Sequence, residues 1–394
     1  MYENPPTAGL PVRWHDWLPT QSTLTAKISQ MLHLPPMQLT CSGTAALVIA
    51  LTTLKQRYPH KPYVIIPAYT CPLVALAIHH CGLKIKLCDL GHNTFDFDFE
   101  HLTQILDEQV LAILPTHLGG QVADVKRVKA LATPYGITVI EDAAQALGAD
   151  VGQSGDIVFY SLAAGKGLTL FEGGLLGASN QNLAIQLQET AQQIIPQRPF
   201  FEAKRIIELL GYTALYNPFG LHFVYGQVRR RLVNRGQLIE AVGDDFDFSI
   251  PLHHVSRFRQ NVATHAVDRL PEFLQQTRQQ ALTRIKQLQD LPNLHIVSSN
   301  SDNITAVWPF IMLKLPTQQQ RDNILNELWA SPFGVSRLFI YDLPNYTYLN
   351  AIIPPHSMPN AANFAQTMLT ITNSLWLTEL QFQQILRVIQ KHVN

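Results

Sequence analysis

Three reactive side chains follow two apolar stretches near the middle of the chain. Residues 137–140 run into a pair of acids that includes Asp142, and residues 157–159 are followed by the hydroxyl of Ser161. Lys166 comes five residues later, among glycines and alanines. An amine, a carboxylate and a hydroxyl at neighbouring strand ends suit pyridoxal phosphate, which needs a lysine, an acid for its ring nitrogen and small donors for its phosphate. Each residue alone would be a loop lysine, a helix cap or a turn hydroxyl. Their order and spacing predict a cofactor site.

A second motif favours a phosphate site. Ser42-Gly43-Thr44 stands where a loop turns into a predicted helix, and glycine there allows close approach to the backbone. The first amides of a helix bind anions because they are unpaired and carry the positive end of the helix dipole. On its own the motif would be an ordinary N-cap. With Ser161 arriving from another strand end, it predicts a cradle for the phosphate.

Asp142 and Gln145 carry the expectations for the cofactor ring. Asp142 ends a buried stretch, where an unpaired carboxylate is costly, so a protonated ring nitrogen is its expected partner. Gln145, three positions later, is expected to contact the ring hydroxyl or to cap the same turn. Lys166 has two predicted roles: it holds the cofactor at rest, and it then carries a proton between the substrate carbon and the cofactor.

The composition is that of an ordinary globular protein. The 394 residues are 46% hydrophobic and 15% charged, with a formal net charge of +0. Such a chain has no general attraction for polyanions, so nucleic-acid binding is not expected as its main role. The cysteines form no CxxC pair and no zinc-like spacing, which predicts buried free thiols, no metal site and a reducing compartment. They are Cys41, Cys71, Cys81 and Cys88.

Two segments indicate where in the cell the protein is expected. The first residues, MYENPPTAGLPVRW, carry an acid and prolines where a signal peptide would carry basic and then apolar residues. The most apolar long stretch, residues 206–225, is interrupted by Glu208, Asn217 and Pro218, so it is not expected to span a membrane. The sequence predicts a cytoplasmic protein with no transmembrane segment, and contact with a membrane surface stays open.

Helix-like and strand-like segments alternate from about residue 20 to residue 180. This order predicts a mostly parallel sheet covered by helices, with ligands bound beyond the carboxyl ends of the strands. The polar residues expected at such ends are Thr70, His117, Asp142 and Ser161.

The alternation of helix-like and strand-like segments stops between about residues 181 and 250. The pattern of the rest of the chain predicts a smaller α+β domain. Its expected elements are a long helix (260–288), strands (294–297 and 306–313) and two further helices (318–329 and 379–392). The predicted domains are residues 1–250, with an unusual insert at about 181–250, and residues 251–394.

Together these motifs resemble the DegT/StrS-type aminotransferases, fold-type I pyridoxal-phosphate enzymes best known for aminating keto sugars attached to nucleotides. The matching residues are Ser42-Gly-Thr-Ala-Ala-Leu, Pro67-Ala-Tyr-Thr70, Pro115-Thr-His117-Leu-Gly-Gly, Glu141-Asp-Ala-Ala-Gln145, Ser161 and Lys166 to Gly174. The resemblance covers residues 38–180, and the second half of the chain only loosely. It implies a mostly parallel, seven-stranded type of sheet between helices, plus the smaller C-terminal domain.

The resemblance also implies roles for individual residues. Lys166 would form the Schiff base, Asp142 would pair with the pyridine nitrogen, and Gln145 would contact the ring. The phosphate site that it implies consists of Ser161, Gly43 and Thr44. Some relatives carry histidine in place of the lysine and are dehydratases, so Lys166 favours amino transfer. His117 falls near the cofactor in the family, and a purely structural role is an equal interpretation.

Three positions depart from the family pattern. The aromatic residue that normally follows the equivalent of Thr70 and stacks on the cofactor is replaced by Cys71, so ring packing falls to this thiol or to Tyr69. The family's Asn-x-Arg motif, which reaches the phosphate of the partner subunit, is replaced by Arg257-Phe258-Arg259, and Arg257 is expected to make that contact. The stretch from 181 to 250 is longer than in the family, which leaves open whether the substrate is an ordinary nucleotide sugar.

Two further groups of arginines allow more than one interpretation. Arg229-Arg230-Arg231 with Arg235 is either a solvated helix face or a site for a diphosphate or an anionic lipid headgroup. Arg337 is a candidate for holding the carboxylate of the amino donor.

The overall prediction is a homodimeric, pyridoxal-phosphate-dependent aminotransferase with its site at the subunit interface. Glutamate as donor, a nucleotide-linked keto sugar as acceptor, and a place in polysaccharide or secondary-metabolite synthesis all come from the resemblance. Two alternatives stay open. One is a pyridoxal-phosphate enzyme of another reaction type, acting on a lipid-linked or acyl substrate. The other is a pyridoxal-phosphate-binding regulatory protein without turnover.

Overall fold

Two sheets organise the chain, which the computed structural model describes over residues 2–299 and 304–393. The strands of the larger sheet are β1 (Met37–Thr40), β2 (Tyr63–Pro67), β3 (Lys84–Cys88), β4 (Val110–Ile113), β5 (Thr138–Asp142), β6 (Ile157–Ser161) and β7 (Gly174–Ala178). Those of the smaller sheet are β8 (His295–Val297), β9 (Phe310–Lys314), β10 (Val335–Ser336) and β11 (Met368–Thr372). The strand orders are β1-β7-β6-β5-β4-β2-β3 and β10-β11-β9-β8.

Helices cover both sheets. Those of the first half are α1 (Leu24–Leu32), α2 (Gly43–Arg57), α3 (Pro72–His80), α4 (Phe99–Ile105) and α5 (Val125–Ala132). The middle of the chain contains α6 (Gln181–Ile194), α7 (Pro199–Leu215), α8 (Pro218–Leu221), a π-helical turn (His222–Gly226), α9 (Gln227–Asn234) and α10 (Leu238–Val242). The rest are α11 (Arg257–Ala266), α12 (Leu270–Gln289), α13 (Gln318–Leu328), α14 (Pro359–Thr367) and α15 (Glu379–Val393).

The larger sheet is buried on both faces. In β2, Val64 and Ile66 join the core formed with α2, α3 and α6, while Ile65 between them joins the core formed with α4 and α5. Strands β2 to β6 are parallel to one another, and β7 runs antiparallel to β1 and β6. The smaller sheet is antiparallel and packs on α12, α13 and α15. This arrangement confirms the predicted fold class.

The structure divides one predicted helix and contains strands that the sequence did not predict, among them β7. The helix predicted over residues 260–288 is divided: α11 ends at Ala266, a 3₁₀ turn follows, and α12 begins at Leu270 with Pro271 in its first turn. Proline is tolerated there because the first helical amides need no partner within the helix. Strand β7 was not predicted, since two of its five residues are glycine, which is disfavoured in strands.

The start of the chain is tied to the middle of the chain by a buried ion pair. The carboxylate of Glu3 is fully buried and accepts hydrogen bonds from Arg229 Nη2 at 2.7 Å and from Arg230 Nη1 at 2.6 Å. The backbone amides of Glu3 and Asn4 donate to the carbonyls of Pro218 and of Pro332, each at 3.0 Å. Two of the three arginines in the basic run therefore share one buried carboxylate. This contact joins the N-terminal segment to α9 and to the chain just after α13.

Gly226, at the end of the π-helical turn, leaves room for this ion pair. A Cβ atom there would lie 2.1 Å from Oε2 of Glu3 and 2.9 Å from Nη2 of Arg230. Gly226→Ala is expected to displace the carboxylate and to lower the free energy of unfolding by about 1–3 kcal/mol. Urea denaturation followed by circular dichroism measures the change.

Gly211, in the middle of α7, is the matched control because a Cβ there would meet nothing within 4 Å. Gly211→Ala should raise the free energy of unfolding by about 0.5–1 kcal/mol, since alanine is the better helix former. Equal effects of the two substitutions would show that the contact with Glu3 does not constrain residue 226.

Candidate active site

The strand order brings distant segments to one edge of the larger sheet. Because β7 is antiparallel to both of its neighbours, its first residue, Gly174, pairs with the last residues of β1 and β6, Thr40 and Ser161. Asp142 ends β5 beside β6, in register with Phe159. The carboxyl ends of β1, β5 and β6 thus meet at the same edge, as the sequence predicted.

The first turn of α2 lies against β6 and β7 at this edge. Ser42 caps the helix, its Oγ accepting from the amide of Ala45 at 3.0 Å. A Cβ on Gly43 would lie 3.2 Å from the Cβ of Ser161, and one on Gly174 would lie 2.5 Å from the carbonyl of Ser42. Glycine is needed at position 174 for this approach. The positive end of a long helix therefore faces the Ser161 hydroxyl, an arrangement suited to an anion.

Asp142 is 4% exposed and lacks a full set of partners. Its Oδ1 accepts from the amide of Ala144 at 3.1 Å, while Oδ2 has no hydrogen-bond donor among the described residues. Burial raises the pKa of Asp142 to about 6, although the charge of Lys166 opposes the rise. The carboxylate is therefore mostly ionised at neutral pH, with one oxygen available to a cationic or N–H partner.

Lys166 lies on the loop that joins β6 to β7. Backbone hydrogen bonds close this loop on itself, from Leu162 to Gly173 at 2.7 Å and from Ala164 to Phe171 at 2.8 Å. The amine of Lys166 has no hydrogen-bond partner in the described part of the chain, and burial lowers its pKa. A lowered pKa increases the neutral, nucleophilic fraction of an amine. Lys166 thus has the properties of a reactive lysine.

A cavity of about 270 Å³ lies in front of this edge. Three residues predicted for the site line it: Gln145, Ser161 and Lys166. Its other walls come from segments distant in sequence: Pro6–Ala8, Tyr225, 242–244, Trp308 and 336–339. Arg337, the candidate for holding the carboxylate of the amino donor, lies in the last of these segments.

Gln145 and His117 are held by the turn at Leu118–Gly120. Oε1 of Gln145 accepts from the amide of Gly119 at 2.7 Å, which fixes the amide group beside the cavity. His117 is fully buried: its Nδ1 accepts from the amide of Ala123 at 3.1 Å and its Nε2 donates to Glu141 at 3.0 Å. Both ring nitrogens of His117 are therefore engaged within the protein, which supports the structural interpretation.

Of the other residues predicted for the site, Gly43, Thr44 and Asp142 lie at the sheet edge without lining the cavity, and Cys71 and Arg257 do not line it either. Cys71 precedes α3, near enough to Lys166 and Asp142 for electrostatic interaction, and burial raises its pKa to about 12. It offers a neutral thiol rather than an aromatic face. Arg257 is exposed at the start of α11, with no partner for its side chain among the described residues. Its predicted contact is with a second subunit and stays a prediction.

Arg259, two residues further on, holds the loop of Lys166. It is fully buried and donates from Nε and Nη2 to the carboxylate of Glu202 at 2.8 and 2.7 Å. Its Nη1 donates to the carbonyls of Leu170 at 3.2 Å and Glu172 at 2.5 Å. Because Glu202 lies on α7, the middle of the chain supports the lysine loop directly.

His253 extends the same network. Its Nδ1 lies 3.4 Å from Glu202 Oε2, and its Nε2 lies 3.9 Å from Glu172 Oε2, which also pairs with Arg205 of α7. Burial alone would lower the pKa of His253, but the nearby carboxylates of Glu172 and Glu202 raise it to about 9. The imidazolium thus bridges two acids beneath the lysine loop.

Comparison with known proteins agrees with these observations. The sequence model of the DegT/DnrJ/EryC1/StrS aminotransferase family matches residues 14–212. The chain belongs to this family. The predicted resemblance to DegT/StrS-type aminotransferases is thereby confirmed.

One sequence relative and two solved structures illustrate the similarity. GDP-perosamine synthase of Caulobacter vibrioides is 32% identical over 152 residues, 37% of this chain and 40% of the relative, so the match spans about two fifths of the relative's length. PseC of Helicobacter pylori, an aminotransferase involved in the biosynthesis of pseudoaminic acid, superposes with a TM-score of 0.72 at 13% identity, covering 95% of this chain and 92% of PseC. The PLP form of Spr1654 from Streptococcus pneumoniae gives a TM-score of 0.72 at 18% identity, covering 100% and 99%.

The His253 network generates a pH-dependent prediction. A histidine whose pKa is raised by folding stabilises the protein fully below its unfolded value, about 6.5, and loses that contribution as the pH rises through about 9. His253→Gln should therefore flatten the fall in unfolding free energy across this window, measured by urea denaturation at several pH values. His60→Gln, at an exposed site, is the control. Parallel profiles for the parent and His253→Gln would show that the imidazolium contributes nothing.

Proposed function

We propose that the protein is a pyridoxal-phosphate-dependent aminotransferase that moves an amino group from glutamate to a keto sugar, with a nucleotide-linked sugar as the acceptor. One observation carries the proposal: Asp142, Ser161, Lys166 and the start of α2 converge on a single sheet edge beside a cavity. Family membership and the sugar-related names of the relatives support the class of acceptor.

The residues at the edge fit the cofactor group by group. The start of α2, with Gly43 and Thr44, and the hydroxyl of Ser161 would bind the phosphate. The free Oδ2 of Asp142 would accept from the protonated ring nitrogen, which gives this buried carboxylate the partner that it lacks. Gln145, already fixed through Gly119, would contact the ring substituents.

When bound, the cofactor supplies an electron sink for the carbon that loses its proton. The protein provides the groups that move this proton and exclude water. Lys166 has a pKa lowered by burial, which increases the neutral fraction of its amine and so its ability to accept and return a proton. Asp142 is mostly ionised at neutral pH and would keep the ring nitrogen of the bound cofactor protonated.

Arg337 is the proposed anchor for the donor carboxylate. It lines the cavity, and its Nη2 donates to the carbonyls of Ile340 at 2.5 Å and Ala365 at 3.0 Å. Its Nε and Nη1 have no acceptor among the described residues. A guanidinium fixed on one side and unpaired on the other suits a carboxylate, which accepts two parallel hydrogen bonds.

A half-reaction measured on Lys166→Ala tests the proposal. Glutamate added to the protein with bound pyridoxal phosphate should convert its absorbance spectrum to that of pyridoxamine phosphate, and Lys166→Ala should abolish this conversion because it removes both the attachment point and the proton carrier. Borohydride reduction and peptide mapping should place the cofactor on Lys166.

Lys126→Ala, which removes an exposed lysine of α5, should react like the parent protein. A borohydride label on another lysine would refute the assignment of Lys166. Cofactor binding without conversion by glutamate or any other amino donor would instead favour a regulatory protein.

Arg257 provides a separate test of the predicted homodimer. If Arg257 reaches the phosphate bound by the partner subunit, Arg257→Ala should weaken cofactor binding by about 1.5–3 kcal/mol, because a charge-assisted hydrogen bond is lost. Dialysis against buffer lacking the cofactor measures the change, and sedimentation velocity reports the dimer. Arg278→Ala, at an exposed arginine of α12, is the control. Unchanged cofactor retention in Arg257→Ala would remove this residue from the site.

A further inference from the structure

Helix α7 has an apolar outer face, where solvent-facing helix surfaces are normally polar. Phe200 is 91% exposed and Ile207 is 68% exposed, and Leu210 and Leu215 continue the same side of the helix at helical spacing. The polar Glu202 lies on the opposite, buried side. Helix α7 thus exposes large apolar side chains to solvent in addition to burying Leu209, which is typical of a face that meets another apolar phase.

The segment after α7 continues this surface. Phe219 and Phe223 are both exposed, with ring centroids 5.1 Å apart, and the exposed Val224 and Val228 follow at helical spacing. A Cβ on Gly220 would lie 2.3 Å from the carbonyl of Leu215, so the end of α7 and the start of α8 are in close contact. The α7–α9 surface is therefore continuous along the chain. It consists of Phe200, Ile207, Leu210, Leu215, Phe219, Phe223, Val224 and Val228.

The exposed charged residues of the segment that forms the α7–α9 surface, residues 196–235, are all basic. They are Arg198, Lys204, Arg231 and Arg235. The two acids of this segment are paired: the buried Glu202 with Arg259, and the partly exposed Glu208 with Arg205 at 2.6 Å and with Lys204 at 3.9 Å. The chain as a whole has a formal net charge of +0, so the positive charge is concentrated locally.

We propose that the α7–α9 surface docks the protein on an anionic lipid bilayer. Helices that lie in a membrane interface combine large apolar side chains with Lys and Arg, which interact with the lipid phosphates. Over the described residues no helix is long and apolar enough to cross a bilayer, so docking is peripheral. The bilayer is the one partner that we propose for the α7–α9 surface.

The charge pattern disfavours a second copy of this chain as the occupant. A two-fold contact would place this surface against itself, with basic residues opposite basic residues. A different apolar surface accompanies Arg257, the residue expected to reach the partner subunit: Trp14, Leu18 and Phe258 are each about half exposed or more. Trp17 joins that surface to α7 through the hydroxyl of Thr213, which lies on the other flank of the helix.

Docking would bring the candidate active site close to the bilayer. Tyr225 lines the cavity, and the two residues before it, Phe223 and Val224, belong to the α7–α9 surface. One π-helical turn therefore forms part of the cavity wall and part of the docking surface.

Co-sedimentation of the full chain with vesicles tests the proposal. We expect binding to vesicles of phosphatidylcholine with one quarter phosphatidylglycerol, and binding at least about tenfold weaker to phosphatidylcholine alone or at high salt. The double variant Phe219→Ser/Phe223→Ser should weaken binding by about tenfold through lost apolar burial. Arg231→Gln/Arg235→Gln should weaken it by about tenfold through lost charge.

The matched control lies on α15, where Leu380 is 70% exposed and Arg387 is also exposed. Leu380→Ser/Arg387→Gln should bind the anionic vesicles like the parent protein. No binding of the parent protein to anionic vesicles would overturn the proposal, as would equal losses in the control. Conversion of a dimer to a monomer by Phe219→Ser/Phe223→Ser, seen by sedimentation velocity, would instead identify a subunit interface. None of these outcomes depends on catalysis, so they are independent of the proposed function.

Discussion

The close approach of Ser42-Gly43 to Gly174 is the constraint on which the site depends. A side chain at position 174 would overlap the carbonyl of Ser42, at 2.5 Å, so the first turn of α2 reaches β6 only because this position has none. The approach also requires β7 to run antiparallel between β1 and β6, since that order puts Ser161 and the helix start at one edge. A parallel β7 would place its first residue at the opposite edge.

A second constraint acts on the loop between β6 and β7. This loop contains no helix or strand, yet Lys166 must stay in one place for its amine to react. The guanidinium of Arg259 fixes two of the loop's carbonyls and is itself fixed by Glu202. A buried charge of this kind is stable only when paired and hydrogen-bonded, so each partner maintains the position of the other. Helix α7 therefore has a direct role in the geometry of the site.

The sequence predicted the parts of the site whose signals are local. An apolar run followed by Asp142, and Ser-Gly-Thr before a helix, can be recognised within a few residues, and both lie at the predicted edge. Apart from Arg337, the walls from residues 6–8, 242–244 and 336–339 could not be predicted, because only tertiary packing brings them to the cavity. The exposure of Phe200 and Ile207 was likewise hidden, since periodicity shows that a helix has an apolar face but not which way the face points.

The pairing of Glu3 with Arg229 and Arg230 has a consequence for chimeras built from related proteins. Residues 2–8 and the segment around α9 are far apart in sequence but behave as one module, because each neutralises charges that the other buries. Exchanging the middle segment alone would leave Glu3 buried without a counterion. Exchanging the N-terminal residues alone would leave the guanidinium groups of Arg229 and Arg230 without their carboxylate. Recombination between homologues should therefore succeed when both crossover segments come from the same parent.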